Sequence, residues 1–256
     1  MVEGKIQQLF SKYPSSIYGF TSISYSEYAS QYKSAVVFAV PYGEQLTIEN
    51  YTEERFEKGI QDAKKLVEEI LVKIEEILNE HKVKYYIPPV AQSNEEELVA
   101  PFSFKYAAVN AGLGWIGKND VVITEKYGPR VRLSAILIDS QFTYGQRIIK
   151  SNCPDSCKKC VEICPYGALH DMKWDIDTLR NDIIDYQLCN QKEVCILKSM
   201  EEKMLAVFVW LLVRLELISV RAYRGSVCTL YFYAKEQFHK ILQQNAKRKI
   251  LKHLPF

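Results

Sequence analysis

The sequence predicts a mixed α/β domain, of α+β or α/β class, over residues 1–145, followed by a small cysteine-rich module over 146–203. Three observations carry this. An apolar run, a long amphipathic stretch and a second short apolar run follow one another between residues 34 and 87. A glycine-rich turn, Ala111-Gly-Leu-Gly-Trp-Ile-Gly-Lys118, lies between a helical pattern and a strand pattern. Four of the seven cysteines, Cys153, Cys157, Cys160 and Cys164, then crowd into one short stretch.

The elements follow in order. Residues 1–12 read as a short helix with Ile6, Leu9 and Phe10 on one face. Residues 13–32 are rich in Ser and Tyr without periodicity, so loops with one short helix are expected. Ser34-Ala-Val-Val-Phe-Ala-Val40 is continuously apolar, β-branched and stopped by Pro41, which suits a strand buried on both faces. From Glu53 to Glu80, Ile60, Ala63, Leu66, Val67, Ile70, Leu71, Ile74, Ile77 and Leu78 recur at gaps of three and four, with Glu and Lys on the other side. This is an amphipathic helix with a solvated charged face. Lys84-Tyr-Tyr-Ile87, ended by two prolines, reads as a strand. Strand, helix and strand together predict a crossover in an α/β layer. Residues 91–101, with Glu95, Glu96 and Glu97, read as an exposed loop or a lid. Residues 102–111 read as a helix. Strands are expected at 121–124 and 131–138, joined as a hairpin through Gly128-Pro129. A short helix is expected over 176–188, with Cys189 and Cys195 beyond it.

Composition excludes little. The hydrophobic fraction of 48% is ample for a core, and 33 basic against 31 acidic residues favour no particular partner. The first ten residues lack the charged-then-apolar pattern of a secretory signal, so a cytoplasmic, reducing location is expected, with no membrane association. Cysteines there read as metal ligands or catalytic groups before disulfides.

The cysteine spacing is C-x3-C-x2-C-x3-C-P, ending on Pro165. The bacterial ferredoxin run is C-x2-C-x2-C-x3-C-P, and only the first gap differs, by one residue. Four thiolates also suit zinc; the C-x3-C-P ending favours a 4Fe–4S cube. Cys153, Cys157, Cys160, Cys164, Cys189 and Cys195 are the candidate ligands, for one cluster or two. Cys228 is read as a bystander.

Gly112, Gly114 and Gly117 match G-x-G-x-x-G. The dinucleotide fingerprint follows a strand and opens a helix, whereas this stretch follows a helix and opens a strand, which disfavours a Rossmann site. Two readings stand. Glycines let the backbone approach something flat or anionic, with Trp115 to stack and Lys118 as a cation. Alternatively, the stretch is a tight helix-to-strand turn with Trp115 in the core.

Ala108-Val-Asn-Ala-Gly-Leu-Gly-Trp-Ile-Gly-Lys-Asn119, followed by the expected hairpin and then a ferredoxin-like cysteine cluster, resembles the epoxyqueuosine reductase family, whose wider relatives include the reductive dehalogenases. The resemblance covers roughly residues 85–200. It implies a nitroreductase-like α/β domain holding cobalamin and a ferredoxin-like module with two 4Fe–4S clusters that pass electrons to the corrinoid. It also implies action on a modified base in tRNA. Two departures stand out. The Asp that serves the family as proton donor, at the head of a D-S-A-P-L-L-E-R stretch, falls at Leu98, with Glu97 one position away; the E-R pair falls at Phe104 and Lys105. The second C-x2-C-x3-C-P run is missing: after Cys189 and Cys195 the chain continues Met204-Leu-Ala-Val-Phe-Val-Trp-Leu-Leu-Val-Arg-Leu-Glu-Leu-Ile218.

Codons compatible with that stretch, read from the last base of the Met204 codon, give Ala-Gly-Gly-Ile-Cys-Val-Ala-Ala-Cys-Pro-Val-Gly-Val-Asn. This restores C-x3-C-P where the family has it. The tail, 204–256, is therefore expected to come from a shifted frame; sequencing the gene around codon 204 tests this, and no Cys-Pro in any frame refutes it. Read as written, 204–213 is too short for a membrane span.

The functional expectation is an iron–sulfur oxidoreductase related to epoxyqueuosine reductase. It passes electrons from one or two 4Fe–4S clusters to a cofactor, cobalamin or flavin, or to a substrate in the α/β domain. The electron donor would be a ferredoxin or flavodoxin, and the substrate a small molecule or modified nucleotide. The alternatives are a ferredoxin-like electron carrier without a catalytic site, and a structural zinc module on an RNA- or protein-binding domain.

Overall fold

In the computed structural model, which describes residues 2–47, 50–89, 98, 100–164 and 166–196, the molecule is built around β2, Ser34–Pro41. Every residue of β2 but the last is buried. Successive side chains point to opposite faces of a sheet. Val36, Phe38 and Val40 face one hydrophobic core, and Ala35 and Val37 face another. A continuous apolar run is the pattern such a strand needs.

The sheet order is β1 (Ile17–Ser22), β2, β6 (Val131–Ile138), β3 (Tyr85–Tyr86), and every pairing is antiparallel. β2 and β3 both run against β6, so they are parallel to each other. The helix between them, α2 (Glu53–Glu80), is a crossover with β6 inserted in the gap. The crossover read from the sequence holds, within an α+β sheet. Thr52 caps α2, its hydroxyl accepting from the Arg55 N–H at 3.2 Å.

One face of the sheet is covered by α2, through Ala63, Val67, Ile70, Ile74 and Leu78, and by α1 (Val2–Phe10), through Ile6, Leu9 and Phe10. The other face carries α3 (Phe104–Asn110), through Ala107, Ala108 and Val109. Ser103 caps α3 by accepting from the Tyr106 N–H at 3.2 Å. Trp174 and Ile183 enter this second core, so the cysteine module shares its interior with the sheet.

Three expectations need correction. Residues 13–32 contain a six-residue edge strand, β1, as well as the expected short helix, a 3-10 turn at Glu27–Ser30. Gly19 sits within β1 because a Cβ there would lie 2.5 Å from the Ala111 carbonyl oxygen; it lets the end of α3 lie directly on the strand. The hairpin between 121–124 and 131–138 does not form. β5 (Val122–Ile123) pairs with β4 (Trp115–Ile116), residues 124–128 close on themselves, and β6 joins the main sheet. An eight-residue strand apolar on both faces gains more between β2 and β3 than beside a two-residue strand. The single helix over 176–188 is two: α5 (Arg180–Ile183) and α6 (Tyr186–Ile196). Ile184 between them is extended and bridges to Leu169. Asp185 then starts α6 by accepting from the Leu188 N–H at 2.8 Å, and Cys189 and Cys195 lie within that helix.

Among the described residues, no helix is long and apolar enough to cross a membrane. The expectations for the acidic loop 91–97 and for the tail 204–256 lie outside the described residues.

Candidate metal centre

Cys160 lies in the first turn of α4 (Lys159–Ile163) and is 6% exposed. Cys153, Cys157 and Cys164 are half-buried. No disulfide joins these four or Cys189. Burial pushes the Cys160 thiol up to about 12, and the neighbouring Cys157 and Cys153 add to the rise, while the N–H groups of Val161 and Cys160 itself pull it down. Three thiols thus share one electrostatic environment, with backbone donors aimed at the innermost. Cys164 closes α4, and Cys189 sits a turn into α6. The side chain of Cys195 lies outside the described residues. Among the described residues, no three His, Cys, Asp or Glu side chains already stand in a metal-holding arrangement. Protonated thiols gain little by converging. Cysteines at this spacing, with N–H groups directed at the innermost sulfur, are a donor set suited to an iron–sulfur cluster, for which the loop would supply three thiolates.

The loop is held from below. Lys118 is 3% exposed, and its ammonium donates to the carbonyl of Asp155 at 3.1 Å, the carbonyl of Cys157 at 3.0 Å and the carboxylate of Asp171 at 2.7 Å. A lysine has three donors, and all three are used. The second oxygen of Asp171 meets Lys158 at 2.9 Å, and Lys173 holds the Asp155 carboxylate at 2.8 Å. Lys118 therefore fastens the cysteine loop; it has no donor left for an anionic cofactor.

A reciprocal link lies two residues on. Asp120 takes the ammonium of Lys105 from α3, and Arg180 of α5 approaches the same carboxylate at 3.6 Å. Arg180 also donates to the Leu98 carbonyl at 2.9 Å and lies over the Tyr186 ring. Burial holds the Lys105 ammonium below its usual range, against the opposing pull of Asp120. Asp120 and Asp171 both have left-handed backbones, with φ of 59° and 58°, a conformation that Asp tolerates better than most residues. So the turn 118–120 sends a lysine into the cysteine module and receives an arginine from it.

Gly112, Gly114 and Gly117 make this turn possible. Gly112 has φ of 75°, and a Cβ there would lie 2.6 Å from the Gln146 carbonyl. At Gly114 a Cβ would collide with the Ile123 carbonyl, and at Gly117 with the Ile123 side chain at 2.5 Å. All three spaces are filled by this chain's own atoms, and Trp115 is 7% exposed in the core. The tight-turn reading accounts for the glycines, whose Cβ spaces the chain's own atoms occupy. Gly114→Ala is expected to cost about 1–3 kcal/mol through overpacking, measured as a lowered urea midpoint; an unchanged midpoint contradicts it.

Two polar atoms flanking the turn remain. The Trp115 Nε1 donor and the Asn110 Oδ1 acceptor are buried without hydrogen-bond partners among the described residues. They, and not the glycines, are what a bound group at this turn would satisfy. Asn110 carries no motif, and only its place at the end of α3 beside Gly112 could have singled it out.

The link is pH-sensitive in a definite direction. Hydrogen bonds from Lys118 and Lys158 hold the Asp171 carboxyl below its usual range. A depressed carboxylate contributes stability above its unfolded value, about 3.9, and loses it as pH falls through the lower folded value. Asp171→Asn is expected to lower the thermal midpoint at neutral pH and to flatten the acid limb of its pH profile below about pH 4. Parallel profiles for the two proteins contradict this.

No family model matches the chain. It is 29% identical over 144 residues to epoxyqueuosine reductase from Bacillus anthracis, covering 54% of this chain and 36% of that protein. It is 30% identical over 109 residues to epoxyqueuosine reductase from Escherichia coli K12, covering 43% and 27%. It is 34% identical over 98 residues to a tetrachloroethene reductive dehalogenase from Dehalobacter restrictus, covering 36% and 16%. The matched stretches thus span about a third or less of these relatives. In fold, it is similar to a solved reductive dehalogenase at a TM-score of 0.55 and 16% identity, covering 73% of this chain and 28% of that one. The resemblance read from the glycine turn and the cysteines is therefore present in sequence over about a third to a half of the chain, and the mixed α/β fold is shared with a reductive dehalogenase.

Proposed function

We propose that this chain is an iron–sulfur oxidoreductase related to the epoxyqueuosine reductases, in which Cys153, Cys157 and Cys160 hold a 4Fe–4S cluster that delivers single electrons to a reaction in the α/β domain. The observation that carries the reading is the placement of these three closely spaced cysteines on a loop that buried Lys118 fastens to the α/β domain. An electron module docked this firmly is suited to short-range delivery into its own chain. A cluster would supply one-electron reduction. The chain's own residues fix the loop, exclude water from Cys160 and offer Trp115 Nε1 and Asn110 Oδ1 to whatever binds at the turn. The reductive dehalogenase that shares the fold is linked to B12-dependent dehalogenation, and the relatives in sequence are epoxyqueuosine reductases. These relatives supply the substrate classes to try first, a modified nucleotide and an organohalide, and cobalamin as the cofactor. A ferredoxin or flavodoxin is the donor to supply.

A second reading, a one-cluster electron carrier, is supported by the packing of the chain's own atoms around the three glycines of the turn. Anaerobic purification with iron, sulfide, corrinoid and flavin analysis separates the two. Stoichiometric corrinoid or flavin together with iron supports the enzyme. Iron alone, with electron exchange but no bound cofactor, supports the carrier. Zinc in place of iron refutes both.

A further inference from the structure

We propose that Lys118 is a positioning residue for the cysteine loop: from the α/β side, it clamps the long first gap of the motif and sets the geometry and local charge of the thiolates. This rests on the iron–sulfur reading for its redox consequence but not for its mechanical one.

The gap between Cys153 and Cys157 holds three residues, one more than the ferredoxin run. A longer loop between ligands has more conformations to lose when the ligands converge. Lys118 donates to two carbonyls of this very gap and its boundary, Asp155 at 3.1 Å and Cys157 at 3.0 Å. Lys173 holds the carboxylate of Asp155 from a second side. The Cys157 N–H donates to the Pro154 carbonyl at 3.2 Å, and the Cys153 N–H to the Ser151 hydroxyl at 3.3 Å. The lengthened gap is therefore tied at both ends and in the middle.

The clamp itself is rigid. Gly117 and Asp120 close the turn around Lys118, with Gly117 N–H to the Val121 carbonyl at 2.9 Å and Asp120 N–H to the Gly117 carbonyl at 3.0 Å. The lysine backbone cannot follow a moving loop. Its charge also matters. Lys118 and Lys158 face one carboxylate, Asp171, so the group carries a net positive charge beside the loop. A buried cation near thiolates favours the more negative, reduced state of anything they bind.

The test uses the full chain in two forms. In the apo form, cysteines are labelled with an aromatic disulfide reagent or alkylated, and Cys153 and Cys157 are followed by peptide mass spectrometry. Lys118→Met is expected to speed their modification by about tenfold through local opening, with Asp171→Asn, which keeps both carbonyl contacts, within about threefold of the parent. Lys118→Arg keeps the charge but moves the donors, and is also expected to speed labelling by at least about threefold. That variant carries the test if Lys118→Met does not fold. In the form reconstituted anaerobically with iron and sulfide, Lys118→Met is expected to have a lower reduction potential, whereas Lys118→Arg stays near the parent. Parent labelling rates in folded Lys118→Met or Lys118→Arg overturn the clamp. So does acceleration in Asp171→Asn equal to that in Lys118→Met. A parent chain that takes up no iron sinks the iron–sulfur reading alone, because the labelling comparison still decides the clamp.

Discussion

Cys160→Ala is expected to abolish cluster assembly while leaving the fold in place. Cys160 is the buried member of the three thiols, in the first turn of α4, with the Val161 N–H aimed at its sulfur. Without it the loop keeps only half-buried thiols, too few to enclose a cube. Iron per chain after anaerobic reconstitution should fall from about four to below one, with loss of absorbance near about 400 nm. Alanine removes one sulfur atom from a small packed site, so the thermal midpoint should move by only a few degrees, corresponding to about 1 kcal/mol. Retained iron at the parent level would show that the motif's centre lies elsewhere.

Phe38→Ala is expected to have the largest effect on stability. Phe38 is fully buried at the centre of β2, packed against Phe10 with ring centroids 5.6 Å apart, on the face covered by α1 and α2. Truncation of such a side chain costs about 3–5 kcal/mol, a large part of the stability of an ordinary domain. Val72→Ala, half exposed on α2, is the matched control and should change stability by less than about 0.5 kcal/mol. Urea unfolding measures both. A Phe38→Ala loss below about 1 kcal/mol would mean that β2 is not the centre of the core.

Much of the scaffold is legible in the sequence because its signals are local. The period of Ile70, Ile74 and Leu78 marks α2 to the residue, and the unbroken run 34–40 marks a strand with two buried faces. β1 is obscured because Gly19 interrupts the run and no polar residue alternates with Ile17, Tyr18 and Phe20; what needs that glycine, the Ala111 carbonyl, is far along the chain. The hairpin expectation failed for a related reason: the partners of β6 are chosen by burial in the sheet and not by the nearest turn.

The site divides in the same way. The cysteine spacing is a local signal and reads directly as a metal motif. The role of Lys118 does not, since its three acceptors lie 37, 39 and 53 residues away. In isolation, a lysine after a glycine turn looks like a cation for an anionic ligand. Only the fold shows it buried and spent on the cysteine loop. The glycines likewise announce a close approach but not what approaches, and here it is the chain's own Gln146 and Ile123.

Iron and acid-labile sulfide counts on the anaerobically reconstituted chain, read beside its zinc content, test the account most directly. One cluster at the Cys153–Cys160 loop predicts about four iron and four sulfide per chain, with a one-electron reducible chromophore. Stoichiometric zinc without sulfide, or about eight iron per chain, would contradict it.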